Sequence, residues 1–208
     1  MDLLLDALAV LFPVDCAGCG SADRSVCAAC RAAIGLPVLS RVGRVEVVSA
    51  TRYAGVAREL VLALKEGGRT DAARAMGASM APLLAAASDR GSQLALMPPS
   101  RAAFRRRGYD PVRLLVARAG FRPRAALRPA RATGAAQKSL DIDARALNAA
   151  GALAAVGDLS GRRLTLVDDV VTTGATLREA ERAVRAAGGE VVGAVTFAAT
   201  PRRFGQSR

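Results

Sequence analysis

The stretch Leu164-Thr-Leu-Val-Asp-Asp-Val-Val-Thr-Thr-Gly-Ala-Thr176 decides the fold of this chain. Its first four residues are mostly apolar and predict a short buried strand that ends at two adjacent carboxylates, Asp168 and Asp169. A turn of small residues follows, and apolar residues then recur at helical spacing from Leu177 to Ala187. A further apolar run, Glu190–Ala199, completes a β-α-β unit, so we expect an α/β fold with parallel strands.

The turn consists of residue types that suit a bound phosphate: Thr172, Thr173, Gly174, Ala175 and Thr176. Backbone N–H groups at the start of a helix bind anions, and threonine hydroxyls add further donors. In open α/β sheets, ligands bind beyond the carboxyl ends of the strands, where the two acids can hold sugar hydroxyls and a hard divalent cation. The pattern therefore predicts a phosphorylated sugar held by its phosphate and its ribose.

An ordinary strand-turn-helix junction with a capping threonine is the alternative. It would explain the threonines and the glycine, but it would not explain two neighbouring charges at the end of a buried strand. The stretch also lacks the Gly-Lys-Ser/Thr ending of a Walker loop and the Gly-x-Gly-x-x-Gly of a dinucleotide site.

Near the N-terminus the chain carries all four of its cysteines, spaced C-x2-C-x7-C-x2-C: Cys16, Cys19, Cys27 and Cys30. Paired C-x-x-C units are typical of a structural zinc site in which protein thiolates fill all four positions. The alternatives are disulfides, which a cytoplasmic chain disfavours, and four unrelated small core residues. A short apolar helix is predicted before the cysteines, over residues 3–12. We expect a zinc module over residues 1–43 and an α/β domain over residues 44–208.

Two segments outside the key stretch are candidate ligand contacts. The strand predicted at residues 93–97 ends in Pro98, Pro99, Ser100 and Arg101, where the backbone must turn and an arginine can grip a phosphate. Residues 131–140 form a polar, glycine-containing segment that we interpret as a lid, with a plain surface loop as the alternative. Lys65 ends a predicted helix and can either pair with the helix C-terminus or contact a ligand.

Thr70 can cap a second helix that runs to about Ala87, and Met76 and Met80 on one face of it are predicted as core. Gly108 and Pro111 predict a break in the helix that follows the Pro-Pro segment. The arginines of that helix are predicted on a solvated face: Arg105, Arg106 and Arg107.

The net charge of +12 comes almost wholly from arginine, since the chain has only two lysines, and it contains no histidine. A solvated basic surface explains the charge as well as a polyanionic partner does. The missing histidine excludes imidazole as a base or a metal ligand. No uncharged apolar stretch approaches the ~20 residues of a membrane helix, and the N-terminus lacks the basic start of a secretory signal. We expect a cytoplasmic chain without membrane insertion.

Residues 164–176 resemble the phosphoribosyl pyrophosphate (PRPP) loop of type I phosphoribosyltransferases. The cysteines, Lys65, the Pro-Pro segment followed by Arg-Gly-Tyr, and a pattern from Arg131 through Gln137 to Leu140 extend the resemblance to the ComF family, including its GntX-like members. The resemblance covers nearly the whole chain. It implies a type I phosphoribosyltransferase fold with a mostly parallel central sheet flanked by helices, plus a small four-cysteine zinc module at the N-terminus.

By that resemblance, Asp168 and Asp169 would hold the ribose hydroxyls and a Mg²⁺ ion, and the turn would cradle the 5′-phosphate. Residues 98–101 would bind pyrophosphate, and the lid with Arg131 and Gln137 would cover the reacting C1 carbon. An acceptor would then displace pyrophosphate. Purine salvage enzymes carry an acid at the position of Thr172, so hypoxanthine-guanine chemistry is not expected. The alternative function is that of a non-catalytic accessory of DNA uptake, which binds single-stranded DNA and competence proteins and senses nucleotide.

Overall fold

The computed structural model describes residues 14–22, 24–123, 125–130 and 151–200. The helices are Ala28–Ala32 (α1), Gly55–Lys65 (α2), Ala73–Asp89 (α3), Arg101–Arg107 (α4), Pro111–Arg118 (α5) and Ala175–Ala186 (α6). The strands are Val38–Val42 (β1), Val45–Arg52 (β2), Gln93–Leu96 (β3), Leu127–Pro129 (β4), Leu153–Ala155 (β5), Arg163–Val171 (β6) and Glu190–Ala199 (β7). The helix predicted at residues 3–12 lies outside the described residues.

The centre of the fold is a five-stranded sheet in the order β1-β2-β7-β6-β3. The β1–β2 hairpin is antiparallel, whereas β2 with β7, β7 with β6, and β6 with β3 are parallel pairs. Strands β4 and β5 form a separate antiparallel pair. The prediction of an α/β fold with a mostly parallel central sheet is therefore confirmed.

Helices cover both faces of this sheet because its central strands are apolar on both sides. On one face Val167, Val195 and Phe197 pack in a cluster with buried residues of α2, α3 and α5. On the other face Leu164 and Leu166 pack in a cluster with buried residues of α6. The parallel sheet thus places the carboxyl ends of β3 and β6 side by side, which is where the candidate site lies.

Two local predictions need correction. The strand predicted to end at Val167 continues to Val171, because Val170 and Val171 still pair with Ala198 and Ala199 of the adjacent strand β7. Thr70 was expected to cap a helix, but it begins a 3₁₀ turn, Thr70–Ala72, that leads into α3. The predicted break at Gly108 is confirmed, since this glycine has φ 77° and separates α4 from α5.

The cysteine segment packs directly on the α/β domain. Cys16, Cys30 and Ile34 are buried in the same apolar cluster as Leu60 and Leu64 of α2. Strand β1, which precedes residue 44, forms the edge of the central sheet; the division of the chain after residue 43 remains a prediction. Among the described helices, none combines the length and apolar character that crossing a bilayer requires.

Candidate active site

Asp168 and Asp169 line one cavity of about 450 Å³ at the carboxyl ends of β3 and β6. The turn after β6 borders this cavity through Thr172 and Thr176. The segment after β3 and the end of α2 complete the wall, with Pro98, Pro99, Ser100 and Lys65 among the lining residues. The structure therefore brings together the acids, the small-residue turn and the Pro-Pro segment, which the sequence singled out separately.

Asp169 is paired inside the cavity. Its Oδ1 accepts a hydrogen bond from Nζ of Lys65 at 2.7 Å, and its side chain is only 9% exposed, against 29% for Lys65. Burial alone would lower the pKa of Lys65, but the charge and hydrogen bond of Asp169, together with the charge of Asp168, raise it. Lys65 is therefore a cation of the candidate site. The sequence left open whether it pairs with the helix C-terminus or contacts a ligand, and in the structure its ammonium forms an ion pair with Asp169.

Asp168 is the acid with the perturbed titration. Burial and the negative charge of Asp169 raise the pKa of Asp168 to about 7, although the charge of Lys65 opposes the shift. Its Oδ1 accepts a hydrogen bond from the Asp169 backbone N–H at 2.8 Å. Lys65, Arg106 and Arg107 supply positive charge at this cavity, which Glu66 and Asp110 also line together with the two acids.

The turn after β6 leads directly into α6. Thr172 and Thr173 are exposed, and α6 begins at Ala175 with Gly174 as its N-cap in a left-handed conformation, φ 74°. The Ala175 N–H reaches Oγ1 of Thr173 at 3.3 Å. The first-turn N–H groups of any helix lack intrahelical acceptors, so this end of α6 suits an anion.

The residues of the Pro-Pro segment do not all line the same cavity. Ser100 is buried and caps α4, since its Oγ accepts the Ala103 N–H at 3.1 Å. Arg101 is exposed and lines a neighbouring cavity, whereas Arg106 and Arg107 line the cavity of the acids. Arg106 and Arg107 were expected on a solvated face. The arginines at the acid cavity therefore come from the last turn of α4 rather than from its first residue.

The neighbouring cavity lies on the other side of the Pro-Pro segment and shares Pro98, Pro99 and Asp110 with the acid cavity. Four exposed arginines line it: Arg101, Arg105, Arg113 and Arg128. Phe104, which is 48% exposed, and Tyr109 add two aromatic rings. This basic cavity was not predicted. It suits a phosphorylated ligand with a planar group.

The four cysteine Sγ atoms lie within 4.8 Å of one another. The separation between Cys19 and Cys27 is 3.8 Å, which is about the edge of a tetrahedron with Zn–S bonds of ~2.3 Å. Burial would raise the pKa of Cys16, but N–H groups of Cys27, Gly18 and Cys19 stabilise its thiolate and lower the pKa to about 6. Burial and the neighbouring sulfurs raise the pKa of Cys30. The cluster can hold a zinc ion, which would take up the negative charge that the four sulfurs cannot share alone.

Two predicted contacts, Arg131 and Gln137, lie outside the described residues, as does the predicted lid at residues 131–140. Within the described part of the chain, sequence reasoning missed the involvement of Arg107 and Tyr109 and left Lys65 undecided. The rarity of lysine in an arginine-rich chain was the one sequence signal that could have marked Lys65.

Comparison with known proteins agrees with this geometry. The model of the family described as "Phosphoribosyl transferase domain" matches residues 113–207, a range that includes the acid pair and the turn. The chain is similar to orotate phosphoribosyltransferase of Nocardioides sp., with 62% identity over 34 residues, 16% of this chain and 19% of that one. Orotate phosphoribosyltransferase of Pyrobaculum aerophilum is 58% identical over 40 residues, 19% of this chain and 21% of its own.

The chain spans about a fifth of the length of these curated relatives. The domain match covers slightly less than half of this chain and, with the local similarity, agrees with the α/β fold that the structure shows. The predicted fold class is confirmed.

Proposed function

We propose that this protein binds PRPP together with Mg²⁺ and transfers its phosphoribosyl group to an acceptor. The single observation that carries the proposal is that Asp168, Asp169 and the turn at Thr172–Thr176 border one cavity at the carboxyl end of a parallel sheet. The match of residues 113–207 to a phosphoribosyl transferase domain supports it.

Different residues of the cavity bind different parts of PRPP. The turn takes the 5′-phosphate through backbone N–H groups and threonine hydroxyls, and the acid pair takes the two ribose hydroxyls. Pro98, Pro99 and Ser100 form the wall for pyrophosphate. A bound Mg²⁺ ion would use carboxylate oxygens of the acid pair and would neutralise charge on the leaving pyrophosphate.

The reaction breaks the bond between C1 and a pyrophosphate oxygen and forms a bond between C1 and the acceptor. The electron pair of the broken bond leaves with pyrophosphate. Positive charge develops on the ribose ring, so the chain contributes mainly by holding the ribose in place and by neutralising charge. The proton of a protic acceptor must leave by way of water or a nearby base, because Thr172 replaces the acid that assists purine acceptors in salvage enzymes.

The ComF resemblance supports an acceptor that is not a salvage purine, and the cysteine cluster supports a zinc ion as a structural cofactor. Because the similar proteins are orotate phosphoribosyltransferases, orotate is the first acceptor to test.

Calorimetric titration of PRPP with and without Mg²⁺ tests the claim. We expect Mg²⁺-dependent binding that weakens about 10- to 100-fold in Asp168→Asn, since charge-assisted hydrogen bonds to the diol are lost. Pyrophosphate release should then be followed with orotate and other acceptors. Absence of PRPP binding by the folded wild-type protein would refute the proposal.

A second candidate function is single-strand DNA binding, which the arginine-lined cavity favours. Its guanidinium groups can bind phosphates, and Phe104 offers a ring on which a base can stack. Fluorescence anisotropy with a labelled oligonucleotide should show affinity that falls steeply with salt. Arg105→Ala and Arg113→Ala should reduce this affinity while PRPP binding stays unchanged. An affinity that does not depend on salt would exclude this function.

A further inference from the structure

We infer that Arg107 and Tyr109 are positioning residues, which cap the end of α2 and thereby hold the Lys65 ammonium against Asp169. This placement of Lys65 holds in the free protein, without bound ligand. Its consequence for ligand binding rests on the proposed PRPP site. Neither residue stands among the predicted ligand contacts, and each would act through Lys65.

The contacts are backbone caps. Nε of Arg107 donates to the carbonyl oxygen of Lys65 at 2.8 Å, and the Tyr109 hydroxyl donates to the carbonyl oxygen of Leu64. The last four carbonyls of a helix have no intrahelical partners. In α2 the carbonyls of Leu64 and Lys65 accept from these two side chains, while those of Leu62 and Ala63 accept backbone N–H groups from the residues that follow the helix.

The segment that supplies these caps is itself fixed on both sides. Gly108 ends α4 in a left-handed conformation, and its N–H bonds to the Phe104 carbonyl at 2.8 Å. Asp110 caps α5 by accepting the Arg113 N–H at 3.1 Å. Tyr109 is also half-buried against the apolar cluster that contains Leu64. The turn between α4 and α5 is therefore a firm support for the end of α2.

Lys65 needs such support because its four-carbon side chain is flexible and its partner is far away in the sequence. An unrestrained lysine loses much rotamer entropy when it pairs, which weakens the pair. The ion pair joins residues 104 positions apart, and it depends on where the last turn of α2 stands relative to β6. Ser100, the N-cap of α4, lines the acid cavity, and Arg107 at the end of α4 caps α2, so this one helix contributes to both sides of the cavity.

Amine acylation of the free protein tests the placement. The chain has only two lysines, Lys65 and Lys138, so peptide mass spectrometry can follow Lys65 alone. At one fixed pH we expect Tyr109→Phe and Arg107→Gln each to raise the acylation rate of Lys65 by about three- to tenfold, the effect of one lost hydrogen bond. The variant Asp169→Asn provides the reference acylation rate of a Lys65 amine without its carboxylate partner.

Arg118→Gln is the matched control, because Arg118 is exposed at the end of α5 and makes no side-chain hydrogen bond or ion pair within the described part of the chain. The Arg107 charge repels the Lys65 ammonium. Its removal alone would therefore tighten the pair with Asp169 and slow acylation, so a faster rate must come from the lost cap. Rates in Tyr109→Phe and Arg107→Gln equal to the rate in Arg118→Gln would overturn the inference.

PRPP affinity separates positioning from a general structural role. In the wild-type background Tyr109→Phe should weaken binding about three- to tenfold, and in a Lys65→Met background the same change should have almost no effect. A loss of equal size in both backgrounds would contradict the role through Lys65. If the wild-type protein binds no PRPP, the proposed function fails, whereas the acylation rates still decide whether the caps place Lys65.

Discussion

The side chain of Val42 closes the space beside Gly174. A Cβ built on Gly174 would lie 2.5 Å from both Cγ atoms of Val42, which is buried at the end of the edge strand β1. The phosphate turn thus packs against the β1–β2 hairpin, and its backbone conformation requires glycine for two reasons: a positive φ and a close neighbour.

We predict that Gly174→Ala destabilises the fold by about 2–4 kcal/mol, the combined cost of a strained φ and an overpacked contact. Gly157→Ala is the matched control, since Gly157 has a similar φ of 78° with nothing within 4 Å of its Cβ position. It should lose only about 1 kcal/mol. Urea unfolding of both variants provides the measurement, and equal losses would show that Val42 does not restrain the turn.

Asp168 should reduce the stability of the free protein. Its pKa is raised to about 7 in the folded state, above the usual value of 3.8, so the folded state binds more protons than the unfolded state between these pH values. The stability therefore falls as pH rises from about 4 to 7. Asp168→Asn removes this cost and keeps an oxygen for the Asp169 N–H.

We predict that Asp168→Asn is more stable than the wild type by about 1–3 kcal/mol at pH 8 and that the gain shrinks towards pH 4. Denaturant unfolding across this pH range, without added Mg²⁺, measures it. If Asp168→Asn is less stable than the wild type at pH 8, the ionised Asp168 carboxylate does not destabilise the folded state.

The contribution of Glu179 to the stability of the fold has the opposite pH dependence to that of Asp168. This carboxylate is buried in α6, where its Oε1 accepts the Leu153 N–H of β5 at 3.0 Å and a hydrogen bond from Arg182 at 2.7 Å. The hydrogen bond from Arg182 is the main cause that lowers the pKa of Glu179 below its usual 4.5, although burial opposes it. Its contribution to stability is therefore present above pH 4.5 and is lost as pH falls through the lower, folded-state pKa.

We expect Glu179→Gln to cost about 1–3 kcal/mol at pH 7, since the charge-assisted bonds to Arg182 are lost. The difference from the wild type should narrow below pH 4.5. Chemical denaturation at pH 7 and near pH 4 measures both values. A constant difference across that range would mean that the carboxylate does not titrate with folding.

The cysteine cluster should couple metal content to the stability of α2. Cys16 and Cys30 share an apolar cluster with Leu60 and Leu64, and a Cβ on Gly18 would meet Sγ of Cys30 at 2.8 Å. We predict that removal of zinc with a chelator lowers the melting temperature by several degrees and speeds hydrogen exchange in α2. Metal analysis of the purified protein and exchange mass spectrometry provide the test, and unchanged exchange in α2 after metal loss would contradict the coupling.

The β-α-β unit and the acid pair could be predicted because their signals are local: apolar runs, two adjacent acids and a glycine-containing turn within a short window. The length of β6 could not, because its last residues owe their strand conformation to pairing with β7. The Met76 and Met80 stripe was correctly predicted as core, since helical spacing alone places it on one face of α3.

The sequence could not place Lys65 opposite Asp169, nor the caps from Arg107 and Tyr109, because each contact joins elements distant in the chain. It likewise grouped Arg101 with Pro98 and Pro99 by adjacency. In the structure the helix start directs Arg101 to the neighbouring cavity, while Arg106 and Arg107 reach the acid cavity. The sequence identified the Pro-Pro segment, but the direction in which each side chain leaves α4 determines which arginine lines the acid cavity.

A crystal structure of the protein soaked with PRPP and Mg²⁺ is the most direct measurement of the central claim. We expect the 5′-phosphate at the backbone of Thr172–Thr176 and the ribose hydroxyls at Asp168 and Asp169. Density for the phosphates only in the arginine-lined cavity, with Lys65 and Asp169 still paired and the turn empty, would contradict it.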